Sequence, residues 1–280
     1  MSRAVVIGGG GHTGFGWQWG VITGLWECGV DLATADLVVG TSTGSMAAVH
    51  LAADGTPEAM MAHVTAPPSG HDPEFDSPTN TFGLELGRMI KSGYTAEAIR
   101  AEMGRIALTA EARSETLMRE ISGTYLPHEQ WPARRVLIPA IDAETGEFVV
   151  FDQESGVRMV DAVCATCALP GVWEPVTING RRYIDPFIRS PINADLAAGF
   201  EHVVVIASIA EIRGLPGGSL DEQLAPVLQD GKVTVIVPDQ AAMAAIGRDQ
   251  QDLSRRPAAA KAGHAQAPSL VAELGDYWHD

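Results

Sequence analysis

Twice within the first 53 residues a short aliphatic run meets a glycine-rich turn and then an unbroken helical pattern. Residues 4–7 lead into Gly8-Gly9-Gly10-Gly11 and a helix expected over about 15–27, stopped at Gly29. Residues 37–39 lead into Gly40-Thr41-Ser42-Thr43-Gly44 and a helix expected over about 45–53. Further strand signals fall at 135–141, 147–151, 202–207 and 232–237, with helical candidates at 193–198, 220–228 and 240–246. Strands alternating with helices in this way predict an α/β fold, a mostly parallel central sheet covered by helices on both sides in three layers.

The 280 residues suit one large domain, and 46% hydrophobic against 19% charged residues is a globular balance. Two segments stand outside the strand and helix rhythm. Residues 67–82 (PPSGHDPEFDSPTNTF) predict a long loop, a flap over the site or an exposed linker, and 84–126 a helical insertion broken at Ser92-Gly93 and at Gly104. Together they make an insertion at about 66–130, and an Ala- and Gln-rich tail at about 249–280 predicts one or two closing helices. A net charge of −16 repels phosphate backbones and anionic lipid surfaces, which excludes nucleic acid as a partner and leaves only weak peripheral membrane contact. Three cysteines are too few for a disulfide framework, and neither a signal peptide nor an apolar run of about 20 residues occurs. A soluble, cytoplasmic protein is expected. Cys164 and Cys167 read as small apolar residues on one helical turn, because no second pair or nearby histidine completes a metal site.

Gly40-Thr41-Ser42-Thr43-Gly44 fits G-x-S-x-G, the turn that pushes a serine Oγ outward between a strand and a helix. With 30 glycines and 14 serines chance supplies about 0.16 such matches, so the strand before it and the helix after it carry the weight. Gly8 to Gly11 offer successive backbone N–H groups ahead of a helix N-terminus, a cradle for an anion. That anion is either an oxyanion beside Ser42 or a pyrophosphate, since Gly9-Gly10-Gly11-His12-Thr13-Gly14 also satisfies G-x-G-x-x-G. A dinucleotide wants an acid at the end of the second strand, whereas Asp31 and Asp36 both precede it. Of the eight histidines (His12, His50, His63, His71, His128, His202, His264, His279) none lies in the late loop of a triad histidine, and His264 comes nearest. A carboxylate with a raised pKa is the other base available, and Asp185 follows directly on a short hydrophobic strand; a turn aspartate before Pro186 is the competing reading.

Five blocks in order resemble the patatin-like phospholipase family: residues 9–14, the elbow 40–44, Ala140-Ile141-Asp142-Ala143-Glu144-Thr145-Gly146, residues 165–175 (ATCALPGVWEP), and Arg181-Arg182-Tyr183-Ile184-Asp185. The resemblance spans about residues 4–238 and is weakest over 62–132. It implies a serine acyl hydrolase cleaving lipid acyl esters with a Ser–Asp dyad and no histidine. Ser42 is then the nucleophile and Asp185 the general base. Gly9, Gly10, Gly11 and Thr43 form the oxyanion hole, Gly40 and Gly44 frame the elbow, and neither a metal nor an organic cofactor is implied. Two residues depart from the family pattern. Thr13 stands where the family usually has Arg or Lys, and Pro186 stands where Gly normally follows the aspartate, removing a backbone donor. Asp142 and Asp152 are the carboxylates next in line, Asp142 more as a turn residue. Phe15, Trp17, Trp19 and Trp173 are candidates for acyl contact, with core filling the commoner role. The rival readings are a nucleotide-binding α/β protein and a catalytically weakened lipid-binding relative.

Overall fold

Aliphatic runs with no polar alternation belong in strands covered on both faces, and that is where they lie. In the computed structural model, which describes residues 1–53, 56–67 and 79–278, eight strands form one sheet. They are β1 (Arg3–Ile7), β2 (Leu37–Gly40), β3 (Arg135–Asp142), β4 (Phe148–Phe151), β5 (Val176–Ile178), β6 (Arg181–Ile184), β7 (His202–Ile206) and β8 (Lys232–Ile236). The order is β5-β6-β3-β2-β1-β7-β8, with β4 also paired to β3. The β3-β2-β1-β7-β8 portion is parallel, whereas β4, β5 and β6 pair antiparallel.

The helices are α1 (Gly11–Glu27), α2 (Thr43–Ala52), α3 (Pro57–Thr65), α4 (Thr79–Lys91), α5 (Ala96–Thr109), α6 (Glu115–Tyr125), α7 (Met159–Cys167), α8 (Leu220–Leu224), α9 (Gln240–Ile246), α10 (Arg256–Gln266) and α11 (Val271–Trp278). Alternate residues of one strand face opposite layers. Val5, Ile7 and Val38 pack with α1, α2, α7 and α10 on one side, and Ala4, Val6, Leu37 and Val39 pack with Ala194, Ala197, Leu224 and Val227 on the other. The three-layer expectation holds. No helix among the described residues is long and apolar enough to cross a membrane.

Several local expectations need correction. Gly104 does not break the insertion but sits inside α5, where a Cβ would stand 2.2 Å from the carbonyl oxygen of Ala143. It is a contact glycine, and α5 instead stops at Thr109. The expected loop over 67–82 is already α4 from Thr79, and residues 68–78 lie outside the described residues. Residues 194–197 form a 3-10 turn rather than an α-helix, entered through a left-handed Asn193. Helix α1 begins at Gly11, four residues before its expected start, so the last glycine of the run opens its first turn and Gly10 is its N-cap.

The tail closes the fold on α1. A Cβ on Gly20 would lie 2.0 Å from the Ala260 carbonyl oxygen, so α10 crosses α1 at backbone contact through the row Gly16, Gly20 and Gly24. Trp17, fully buried in α1, donates its indole N–H to Gln266 at the end of α10 at 3.0 Å.

Candidate active site

Strand β2 ends at Gly40, and the chain must reverse into α2 within two residues. It does so by holding Ser42 at φ 52°, ψ −133°, a conformation that L-residues rarely adopt and that costs about 1 to 3 kcal/mol. The flanking glycines permit the turn. A Cβ on Gly44 would lie 2.4 Å from the carbonyl oxygens of both Ile7 and Gly8, and one on Gly40 would lie 2.5 Å from the Ser45 Cα. The turn is pinned from below: Ser42 N–H donates to Thr166 Oγ1 at 3.1 Å, Ser45 Oγ donates to the Ser42 carbonyl at 2.6 Å, and Thr41 N–H donates to the Ile7 carbonyl at 3.0 Å. The strained serine is therefore overdetermined by its surroundings.

Sheet register brings the second residue to the same place. Continuing the parallel β2–β3 ladder sets Ser42 opposite Ala140, and continuing the antiparallel β3–β6 ladder sets Asp185 opposite Ala140 as well. The Asp185 carboxyl is 1% exposed, stands beside the Ser42 side chain, and accepts the Phe187 N–H at 2.9 Å. Burial pushes its pKa up from 3.8 to about 7, against the lowering pull of the Ser42 hydroxyl and the Phe187 N–H. Pro186, which has no N–H, opens a 3-10 turn whose second residue supplies the donor that Asp185 needs, and Asp185 stays extended at φ −59°, ψ 126°. Asp185 is thus the turn-capping residue of the competing reading as well as the carboxylate beside Ser42.

The other carboxylates are committed to turns. Asp142 accepts N–H bonds from Glu144 and Thr145 and pairs with Arg181 at 2.7 Å, and Asp152 accepts the Glu154 N–H. His264 pairs with Glu27 at 2.8 Å on the surface. Of the acids that a dinucleotide would need, Asp31 accepts the Ala33 N–H and Asp36 the Arg3 N–H.

The glycine run faces Ser42. A Cβ on Gly9 would stand 3.0 Å from the Ser42 Cβ, and one on Gly10 would lie 1.9 Å from the Ser208 hydroxyl. The Gly9 N–H is already bonded to the Pro191 carbonyl at 2.8 Å, which corrects its expected place among the anion donors. Among the described residues the N–H groups of Gly10, Gly11 and Thr43 have no acceptor, as befits the first turns of α1 and α2, whose positive ends converge on Ser42. Gly11, at φ 59°, holds a conformation that a side chain would strain. Beneath the loop, Ser190 Oγ accepts the Ile192 and Asn193 N–H groups, and Asn193 Nδ2 donates to Thr41 Oγ1 at 3.1 Å. This buried network ties the segment that holds Gly9 to the elbow.

Ser42, Thr43, Asp185, Gly10 and Gly11 open onto a cavity of about 530 Å³. Its walls are mostly apolar, including Phe15, Met46, Met118, Ile121, Leu169 and Trp173. A family model described as Patatin, "Patatin-like phospholipase", matches residues 5–198. The chain belongs to the patatin-like phospholipase family. It is also similar to two solved structures: VipD from Legionella pneumophila (11% identity, TM-score 0.46, 97% of this chain and 67% of that one) and the type III effector protein ExoU (13% identity, TM-score 0.41, 97% and 53%). The chain spans about two thirds and about half of their lengths. No curated protein matches it.

As a member of a lipid-hydrolase family, the chain departs from the family pattern at two positions that its own packing explains. Thr13 is fully buried and its N–H donates to the Gln250 carbonyl at 3.1 Å, so a longer basic side chain there would have to be buried as well. Arg248, Asp249, Gln250 and Gln251, beyond the family match, line the cavity mouth beside Gly11 and His12. The sequence reading missed this loop and also missed Cys167. That cysteine lines the cavity beside Ser42 and Ser45, and burial holds its thiol well above the usual range. Cys164, its partner in the C-x-x-C pair, is buried in core with its pKa pushed up to about 11. Among the aromatic candidates, Phe15 and Trp173 reach the cavity, while Trp17 and Trp19 do not.

Proposed function

We propose that this protein is a serine acyl hydrolase of lipid acyl esters that works through Ser42 and Asp185 without a metal or an organic cofactor. The observation that carries the proposal is the strained Ser42 set beside a buried carboxyl on the wall of one mostly apolar cavity. Ionised Asp185 takes the Ser42 proton as Oγ attacks the ester carbonyl, and the alcohol leaves with a proton. Asp185 then draws a proton from the water that splits the acyl-enzyme. The N–H groups of Gly10, Gly11 and Thr43 face the developing oxyanion, each donor worth about 3 to 4 kcal/mol in the transition state. The apolar walls fit an acyl chain better than a nucleotide, and the net charge of −16 favours dispersed lipids or small esters over an anionic bilayer.

A fluorophosphonate tests this directly, since it marks an activated serine whatever the natural substrate. Intact mass should show one phosphonyl adduct on the wild type and none on Ser42→Ala. Folded wild-type protein that takes no adduct refutes the proposal.

A further inference from the structure

Behind the cavity at Ser42 lies a second one of about 430 Å³, lined by residues that include Trp19, Trp26, His50, Met60 and His63. Among the described residues Tyr125 alone lines both. The two spaces follow the same helices. Phe15 and Trp19 on α1, Met46 and His50 on α2, and Ile121 and Tyr125 on α6 are pairs four residues apart, a rise of about 6 Å. In each pair the first residue lines the space at Ser42 and the second lines the space behind it. The cavities therefore lie end to end with Tyr125 between them.

Tyr125 is held on every side. Its hydroxyl accepts Arg256 Nη1 at 3.1 Å, from a guanidinium only 2% exposed. Its ring meets Phe15 edge-on at 6.4 Å and His63 at 4.9 Å, and its carbonyl oxygen meets His50 Nε2. A ring anchored at its tip, its sides and its main chain is a fixed partition rather than a swinging side chain. We infer that Tyr125 sets the length of acyl chain this protein accepts: its ring ends the acyl pocket, and the cavity behind it is room that a longer chain enters when the ring is removed. The inference rests on the acyl-hydrolase reading above.

The test compares kcat/KM on p-nitrophenyl butyrate, octanoate, laurate and palmitate, with fluorophosphonate labelling of Ser42 run beside every variant. Tyr125→Ala should raise the palmitate-to-octanoate ratio about tenfold, the gain from burying roughly two further methylenes. Adding Met60→Trp, which fills the second cavity, should return the ratio toward wild type. Tyr125→Phe keeps the ring and loses the Arg256 bond, so its ratio should move by less than about twofold, well short of the two-methylene gain. If Tyr125→Ala does not fold, Tyr125→Leu carries the same test with an apolar contact to Phe15 retained. An unchanged ratio in a variant whose Ser42 still labels overturns the inference and leaves the hydrolase reading standing. So does a Tyr125→Phe shift as large as that of the truncation, because the anchor rather than the ring would then be responsible. A wild type that neither labels nor turns over any ester removes both.

Discussion

Replacing Asp185 with asparagine should stabilise the protein at neutral pH while disabling it, and the pH dependence of the gain is set by the burial of the carboxyl. An ordinary aspartate titrates at 3.8, and the folded Asp185 at about 7. Below the lower value the group is protonated in both states and contributes nothing. Between the two values the unfolded chain is ionised and the folded one is not, so wild-type stability falls by about 1.4 kcal/mol per pH unit as pH rises. Above the upper value both are ionised and the accumulated penalty, roughly 4 kcal/mol over some three units, stays constant. The neutral amide of Asp185→Asn carries none of it, and its oxygen can still accept the Phe187 N–H. Urea unfolding followed by circular dichroism should show the variant gaining on wild type by about 3 kcal/mol between roughly pH 5 and pH 8. In parallel, wild-type kcat/KM should rise with pH through a midpoint near 7, because only the ionised carboxyl can accept the Ser42 proton. A stability gap that does not change across that range would show that the carboxyl titrates as it does in water, and the account of Asp185 as a buried base would fall with it.

Two further outcomes follow from contacts elsewhere. Gly20→Ala places a methyl 2.0 Å from the Ala260 carbonyl oxygen and 2.8 Å from the His264 nitrogen, and should cost about 3 kcal/mol in urea unfolding; a change below about 1 kcal/mol would mean that α10 does not seat on α1 at backbone contact. Iodoacetamide at mildly alkaline pH should add one carbamidomethyl group to the native protein, on exposed Cys28, because burial raises the thiols of Cys164 and Cys167; peptide mapping that finds Cys164 modified in folded protein contradicts its placement in the core.

The parallel half of the sheet and the elbow were readable because each is a local pattern. Four aliphatic residues followed by glycines have few ways to fold, and G-x-S-x-G between such a strand and an unbroken helix has fewer still. Gly104 and the loop over 67–82 misled for the opposite reason. Glycine in a helix reads as a stop when the contact that requires it, the Ala143 carbonyl, is 39 residues away in sequence. Likewise the helical period of α4 begins inside a stretch whose prolines and serines suggest only loop.

The parts of the site that the sequence hid depend on long-range packing. Cys167 reads as a small core residue on α7 because nothing in its neighbours tells which face of that helix turns to Ser42; the packing of α7 against α2, β3 and β6 decides it. Gln250 reaches Thr13 only because α1 and α10 cross through a row of glycines, so the closing tail, which looks like an appendage to the fold, supplies part of the cavity wall. Tyr125 stands at the last position of α6, where a sequence reader sees a helix end. What fixes its ring between the two cavities is in part a partner 131 residues away, the Arg256 guanidinium that holds its hydroxyl. The proposed nucleophile and base can be read from two short motifs because such chemistry demands particular residues at particular turns. The shape of the pocket cannot be read that way, since any large apolar residue satisfies the local pattern and only the assembled helices determine which one becomes its wall.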